Sequence, residues 1–252
     1  MRHLRPALRL AAITLLAVLG AWAAPPEEKV WSASYPLAPG GEVSVTNVQG
    51  SIVVEGWERA EVELTAVQVV AAGSTEAAIA VERGPGRLAV RTLYPAENLE
   101  PVEVNYFLRV PRQARLEGLL TVNGDIHVRA VEGTVAARTL NGNIEQEGAA
   151  GSVRARALNG NIRLAMRALP GRDGELSLET INGHIQLLLP ARADADLEMK
   201  TVAGRVASQL LFTASETPGD NALRARLGRG GASVRLRTVR GDISVAENLD
   251  VF

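Results

Sequence analysis

Most of the chain is written in runs that alternate apolar and polar residues. Residues 60–70 (AEVELTAVQVV), 77–83 (AAIAVER), 87–94 (RLAVRTLY) and 102–111 (VEVNYFLRVP) each place an apolar side chain at nearly every second position. A strand turns successive side chains to opposite faces, so this pattern predicts half-buried strands. The RGPGR at Arg83–Arg87 punctuates two such runs and reads as a tight hairpin. Residues 30–57 add two or three more strands. The only stretch with a helical reading is GSTEAAIAVE (residues 73–82), and Ile79 and Val81 favour a strand there too.

From Leu116 the alternation becomes periodic. LNGNI occurs at residues 140–144 and again at 158–162, eighteen positions apart. TVNGDIHV precedes these copies (residues 121–128). TINGHIQL (180–187), TVAGRVAS (201–208) and TVRGDISV (238–245) follow, and an outlying TNVQGSIVV stands at 46–54. Half-copies GTVAA (133–137) and GSVRA (151–155) lie between. The branched residues Ile126, Val135, Ile144, Val153 and Ile162 are therefore spaced nine apart. A fixed short period signals stacked units, each resting on the same strand of its neighbour. Asn-Gly supplies the turn, because both residues tolerate the positive φ that a tight reversal needs. It is equally a hairpin signal, so a ladder of ordinary hairpins is the local alternative. Stacking makes Ile126, Ile144, Ile162, Ile185 and Ile243 the spine of the core, with Leu140, Leu158, Ile181 and Val239 as a second column beside the turn. RALPGRDGE (167–175) and ASETPGDNALRARLGRGG (214–231) stretch the later spacings and read as inserted loops.

The fold class expected is all-β: an elongated β-solenoid or stacked-strand repeat domain with an irregular N-terminal β portion. The irregular portion covers residues 30–114 and the regular repeats 115–245. Three features, taken in order, carry a resemblance to a known family. They are GGEVSVTNVQGSIVVEGW (40–57), NYFLRVPR (105–112) and the repeated T-x-N-G-[DNH]-I-x-[VL]. In these the chain resembles a bacterial family of adhesin-like proteins of unknown function with stacked β-strands. The resemblance implies an exported envelope or surface protein and brings no catalytic residue with it. Ala203 and Arg240 depart from the pattern by replacing the turn asparagine.

The beginning of the chain changes the expected compartment. Arg2, Arg5 and Arg9 precede a short apolar stretch at 10–19, and Ala21-Trp22-Ala23 follows as a small-residue cleavage site. This is the anatomy of a secretory signal peptide (residues 1–23), too short in its apolar part for a spanning helix. A Pro/Glu linker (25–28) then leads into one all-β domain at 24–252. The chain has no cysteine, which excludes disulfides and a lipidated cysteine. Without residues 1–23 it carries 24 Lys and Arg against 28 Asp and Glu. That net charge of −4 argues against general nucleic-acid binding.

Candidate chemistry is sparse. Nine-residue glycine repeats are a feature of calcium β-rolls. The residues after the turn glycine, however, are Asp125, Asn143, Asn161, His184, Arg205 and Asp242, and an arginine there repels a cation. Polysaccharide-cleaving β-helices need two convergent carboxylates. Here Glu145 with Glu147, Asp173 with Glu175, and Asp194 with Asp196 lie in separate regions. His127 and His184 are expected outward on neighbouring strands, too few for a metal centre without cysteine. No cofactor, metal or catalytic set is expected. One surface feature remains: Arg138, Arg154, Arg156, Arg235 and Arg237, with Lys200, should align as a mostly basic stripe, broken by Glu179 and Glu198. Such a stripe could contact an anionic polymer. The reading is a non-catalytic, exported adhesin-like or scaffold protein, periplasmic or at the cell surface, binding an envelope polymer or a protein. An envelope-stress or signalling accessory that docks another protein is the alternative, and a polysaccharide-active enzyme a remote one.

Overall fold

The computed structural model describes residues 26–71, 73–96, 102–214 and 221–249. The leader expected at 1–23 lies outside them. The N-terminal portion lays down β1 (Glu27–Pro36), β2 (Glu42–Thr46), β3 (Ile52–Trp57), β4 (Glu61–Val70), β5 (Ala78–Gly84), β6 (Arg87–Leu93) and β7 (Glu103–Pro111). Regular coils of two strands follow: β8 (Arg115–Asn123) with β9 (Ile126–Arg129), β10 (Val135–Asn141) with β11 (Ile144–Ala149), β12 (Val153–Asn159) with β13 (Ile162–Met166), and β14 (Glu175–Asn182) with β15 (Ile185–Leu189). The chain ends through β16 (Ala195–Lys200), β17 (Val206–Ser208), β18 (Thr213–Ala214), β19 (Ala222–Leu227), β20 (Ala232–Arg240) and β21 (Ile243–Glu247).

Among the described residues these strands make two sheets. One runs β1-β4-β7-β3-β9-β11-β13-β15-β21-β17, the other β18-β19-β16-β20-β14-β12-β10-β8-β2-β6-β5. Every coil gives one strand to each sheet, and strands of successive coils pair in parallel, as stacking requires and hairpins forbid. The protein is all-β, a stacked-strand fold, and the hairpin alternative is excluded for the repeats. RGPGR is a true hairpin, joining antiparallel β5 and β6. Residues 78–82 of the ambiguous GSTEAAIAVE stretch fall in β5.

The inner faces of the two sheets share one core. Ile52, Ile126, Ile144, Ile162, Ile185 and Ile243 stand directly opposite one another from coil to coil. None of the six is more than 3% exposed. Each buried isoleucine is worth about 1.5–3 kcal/mol. Facing them on the other sheet are Leu116, Val135, Val153, Leu176 and Val234, also buried and in register.

Three expectations are corrected. The second column is not core: Leu140, Ile181 and Val239 are exposed and Leu158 is half-buried. The inward position beside each is held instead by Thr121, Thr139, Ala157, Thr180 or Thr238. Asn141 and Asn159 do not adopt positive φ. They end their strands in ordinary backbone, and Ala130 is the one non-glycine residue described with positive φ. The corner falls on the glycine, where coils approach so closely that a Cβ on Gly142 or Gly160 would run into the glycine carbonyl of the coil before. Lastly, the 214–231 stretch is not all loop, since Leu223, Ala225 and Leu227 are buried in β19, antiparallel to β16. Its period of two is short and hemmed by glycines, which hid it.

The long gap between Gly204 and Gly241 has a topological cause. β16 and β17 form the outermost coil, and β20 with β21 then returns to insert between them and β14/β15. The opposite end is treated alike, with β7 inserted between β3 and β4.

Candidate functional site

The corner of each coil is tied by three ladders of hydrogen bonds. Asn141 donates through Nδ2 to Oδ1 of Asn123, Asn159 to Asn141, and Asn182 to Asn159, each at 2.8 Å. Such amide ladders are a device of stacked in-register strands. The residue after the glycine accepts from the backbone N–H of the next coil. Asp125 Oδ1 takes Asn143 N at 2.6 Å, Asn143 takes Asn161 N at 2.9 Å, and Asn161 takes His184 N at 2.8 Å. His184 Nδ1 takes Asp242 N at 3.0 Å, and Asp242 takes Arg205 N at 2.8 Å. Deeper in, the Thr121, Thr139, Thr180, Thr238 and Thr201 hydroxyls donate to the glycine carbonyl of the coil behind. The Asp, Asn and His found after the glycine are therefore acceptors for the stack. Arg205 stands in the outermost coil, where no further N–H needs accepting.

Five of the six candidate carboxylates, all but Asp173, are engaged by arginine. Arg163 bridges Glu145 (3.1 Å) and Glu147 (3.2 Å) on the outside of the first sheet, and His127 Nδ1 lies 3.4 Å from Glu145. Glu175 opens β14 and meets Arg154 (3.1 Å) and Arg235 (3.0 Å). Asp194 takes the Arg229 backbone N–H and guanidinium, and Asp196 takes Arg226 at 2.8 Å. These bonds hold both aspartates below the ordinary carboxylate range. A general acid needs the opposite shift. The two histidines are not on neighbouring strands: His127 is on β9, whereas His184 sits at the corner before β15, with β11 and β13 between.

The expected stripe residues do share the outer face of the second sheet. Arg138 is on β10, Arg154 and Arg156 on β12, and Arg235 and Arg237 on β20. Four of the five are ion-paired across strands. Besides the Glu175 pairs, Arg156 meets Glu179 at 3.0 Å and Arg237 meets Glu198 at 2.8 Å. Among the described residues Arg138 makes no ion pair, and neither does Lys200 on β16.

Beside the stripe the displaced second column, expected in the core, lines a trough on the outer face. The outward Leu140, Leu158, Ile181, Val239 and Val202 follow one another across β10, β12, β14, β20 and the turn just after β16. They form one wall of an open trough of about 530 Å³. Arg138, Arg156, Glu179, Arg237 and Lys200 form the other wall, and Thr139, Ala157, Thr180 and Thr238 line its floor. Val202 is 67% exposed and Leu140 44%. The signal was present in the repeat, because the position before each turn asparagine is branched and apolar although it points outward.

With this geometry in view, a family model described as Toastrack DUF4097 matches residues 113–246. The chain belongs to that family. The matched segment of this toastrack protein runs from the start of the regular coils to β21, the part that carries the ladders and the trough. A crystal structure of a candidate cell adhesion protein from Clostridium sporogenes shares the fold. Its TM-score is 0.51 at 12% identity, over 88% of this chain and 100% of that one. A candidate adhesin from Bacteroides fragilis aligns over 89% of this chain and 100% of its own, with TM-score 0.38 and 9% identity. No curated protein matches the chain. Among the described residues no helix is long and apolar enough to cross a membrane.

Proposed function

We propose that this toastrack protein is an exported, non-catalytic, adhesin-like component of the cell envelope. It holds an envelope polymer or a protein partner on the outer face of its second sheet. The observation that carries the reading is the trough, an apolar wall repeated in five successive rungs and left uncovered beside a mostly cationic row that Glu179 interrupts. A lone exposed leucine is ordinary; a contiguous outward column is the mark of a binding surface. The remaining polar groups of the repeat support the same reading, since the asparagines, threonines and post-glycine residues are spent on the stack. Export rests on the leader pattern at residues 1–23, and the crystal structures described as candidate adhesins agree with a surface role.

The test is sedimentation of purified protein with isolated envelopes. Wild type is compared with a variant carrying Leu140→Asn, Ile181→Asn and Arg138→Gln, all outward changes. The expected result is weaker binding by at least about tenfold, or ~1.4 kcal/mol, with an unchanged melting temperature. Equal binding by the two proteins would remove this face as the binding surface. Arg138 is chosen over its four neighbours because removing those would strand the glutamates they neutralise.

A further inference from the structure

We propose that the trough holds the extended acyl chain of a fatty carboxylate, its carboxylate on the guanidinium of Arg138. This deepens the reading above and rests on it. The first argument is period. Adjacent strands lie ~4.8 Å apart, so the five rungs from Leu140 to Val202 recur at that spacing over about 19 Å. A peptide strand laid along them repeats its same-face side chains every ~6.6 Å and falls out of step at once. A helix, at about 5.4 Å per turn, drifts by half a rung over the same length. A polymethylene chain has no side-chain period to mismatch. An extended backbone advances about 3.6 Å over three bonds, near 1.2 Å per bond. A chain of roughly sixteen carbons therefore fills the trough.

The second argument is the character of the two walls. One is branched aliphatic, and the other is built from arginine and lysine stems, which offer methylenes to a ligand and keep their charge at the rim. The third is charge. In the middle rungs Arg156 and Arg237 are neutralised by Glu179 and Glu198. At the ends, Arg138 and Lys200 carry no ion pair among the described residues, which suits a ligand charged at one end and neutral along its length. Of the two, Arg138 has the fork that meets both oxygens of a carboxylate.

Calorimetric titration of purified protein with octanoate, dodecanoate, hexadecanoate, octadecanoate and hexadecanol, below their micelle concentrations, decides the matter. One hexadecanoate should bind per chain. Affinity should rise about twofold per added methylene, half the logarithmic gain of full burial, and level off near sixteen carbons. Hexadecanol should bind more weakly. Arg138→Gln should weaken hexadecanoate binding by up to about fivefold, the upper end for an exposed charge pair. Affinity independent of chain length, or hexadecanol binding as tightly as hexadecanoate, overturns the proposal, and neither outcome depends on a variant folding. Failure of hexadecanoate to bind, with envelope binding still lost in the triple variant, overturns the ligand class and leaves the binding face standing. Failure of both sinks both.

Discussion

Each regular coil carries two branched apolar columns four residues apart, and they do opposite things. The isoleucine after the glycine is sealed between the sheets. The leucine, isoleucine or valine before the asparagine looks outward along the trough. Both read as core in a hydrophobicity pattern. They differ in phase across the corner: the glycine kinks the chain, so alternation does not carry over from one strand to the next. The lesson is that in a stacked fold a repeated apolar residue reports repetition, and only its phase within its own strand reports burial.

The largest way to break the comparison is to truncate one member of each column. Ile144→Ala should cost about 2–5 kcal/mol, because it opens a cavity between close-packed coils. Denaturant titration should show this as a lowered midpoint with unchanged slope. Leu140→Ala should lie within about 0.5 kcal/mol of wild type. Equal losses would mean that the outer column is structural after all.

A smaller effect sharpens the account of the corner that separates the columns. His184→Ala removes the acceptor of the Asp242 N–H and should cost about 1 kcal/mol. His184→Asn, which restores the residue found at this place in the two preceding coils, should recover most of it. Thermal melts of the pair give the difference, and no recovery would mean that the ladder is incidental to stability.

Acid should then distinguish the outermost coil from the middle of the stack. Asp194, Asp196 and Glu198 all have lowered pKa values, through Arg229, Arg226 and Arg237 respectively. A depressed carboxylate stabilises the folded state above its unfolded pKa, and the contribution disappears as pH falls through the folded value. Amide exchange in β16 and β19 should therefore accelerate below the ordinary carboxylate range, before exchange in β10 and β12 does. Simultaneous opening would refute the assignment. The smallest expected effect is that of Leu140→Asn on melting, near zero, although the same change should damage binding.

The sequence revealed the stacking, the spine and the strands of the first half, because all three are written in spacing and alternation. It concealed what depends on contacts between coils. Asn141 and Asn159 read as turn residues because Asn-Gly is a strong local signal, whereas their partners are asparagines eighteen or more residues away. The trough was hidden for the related reason that Leu140 and Arg138 lie two apart on one strand, but the wall each belongs to is assembled from five strands. β19 was lost among glycines. The arginine stripe was legible as alignment. Its cross-strand neutralisation by Glu175, Glu179 and Glu198 was not, since it depends on rotamers and on the swapped order of the last coils.

That swapped order sets a timetable for synthesis. The segment that becomes the outermost coil, β16 and β17, leaves the ribosome before the coil it stands on. Until β20 and β21 have been made, β14 and β15 end the stack with bare backbone edges, and β16 can pair with β19 alone. A chain stopped short of Ala232 is thus a solenoid with an open end and a detached cap, a template for any other exposed strand. The last fifteen or so residues to form strands close the molecule from within, as a wedge driven between parts already made.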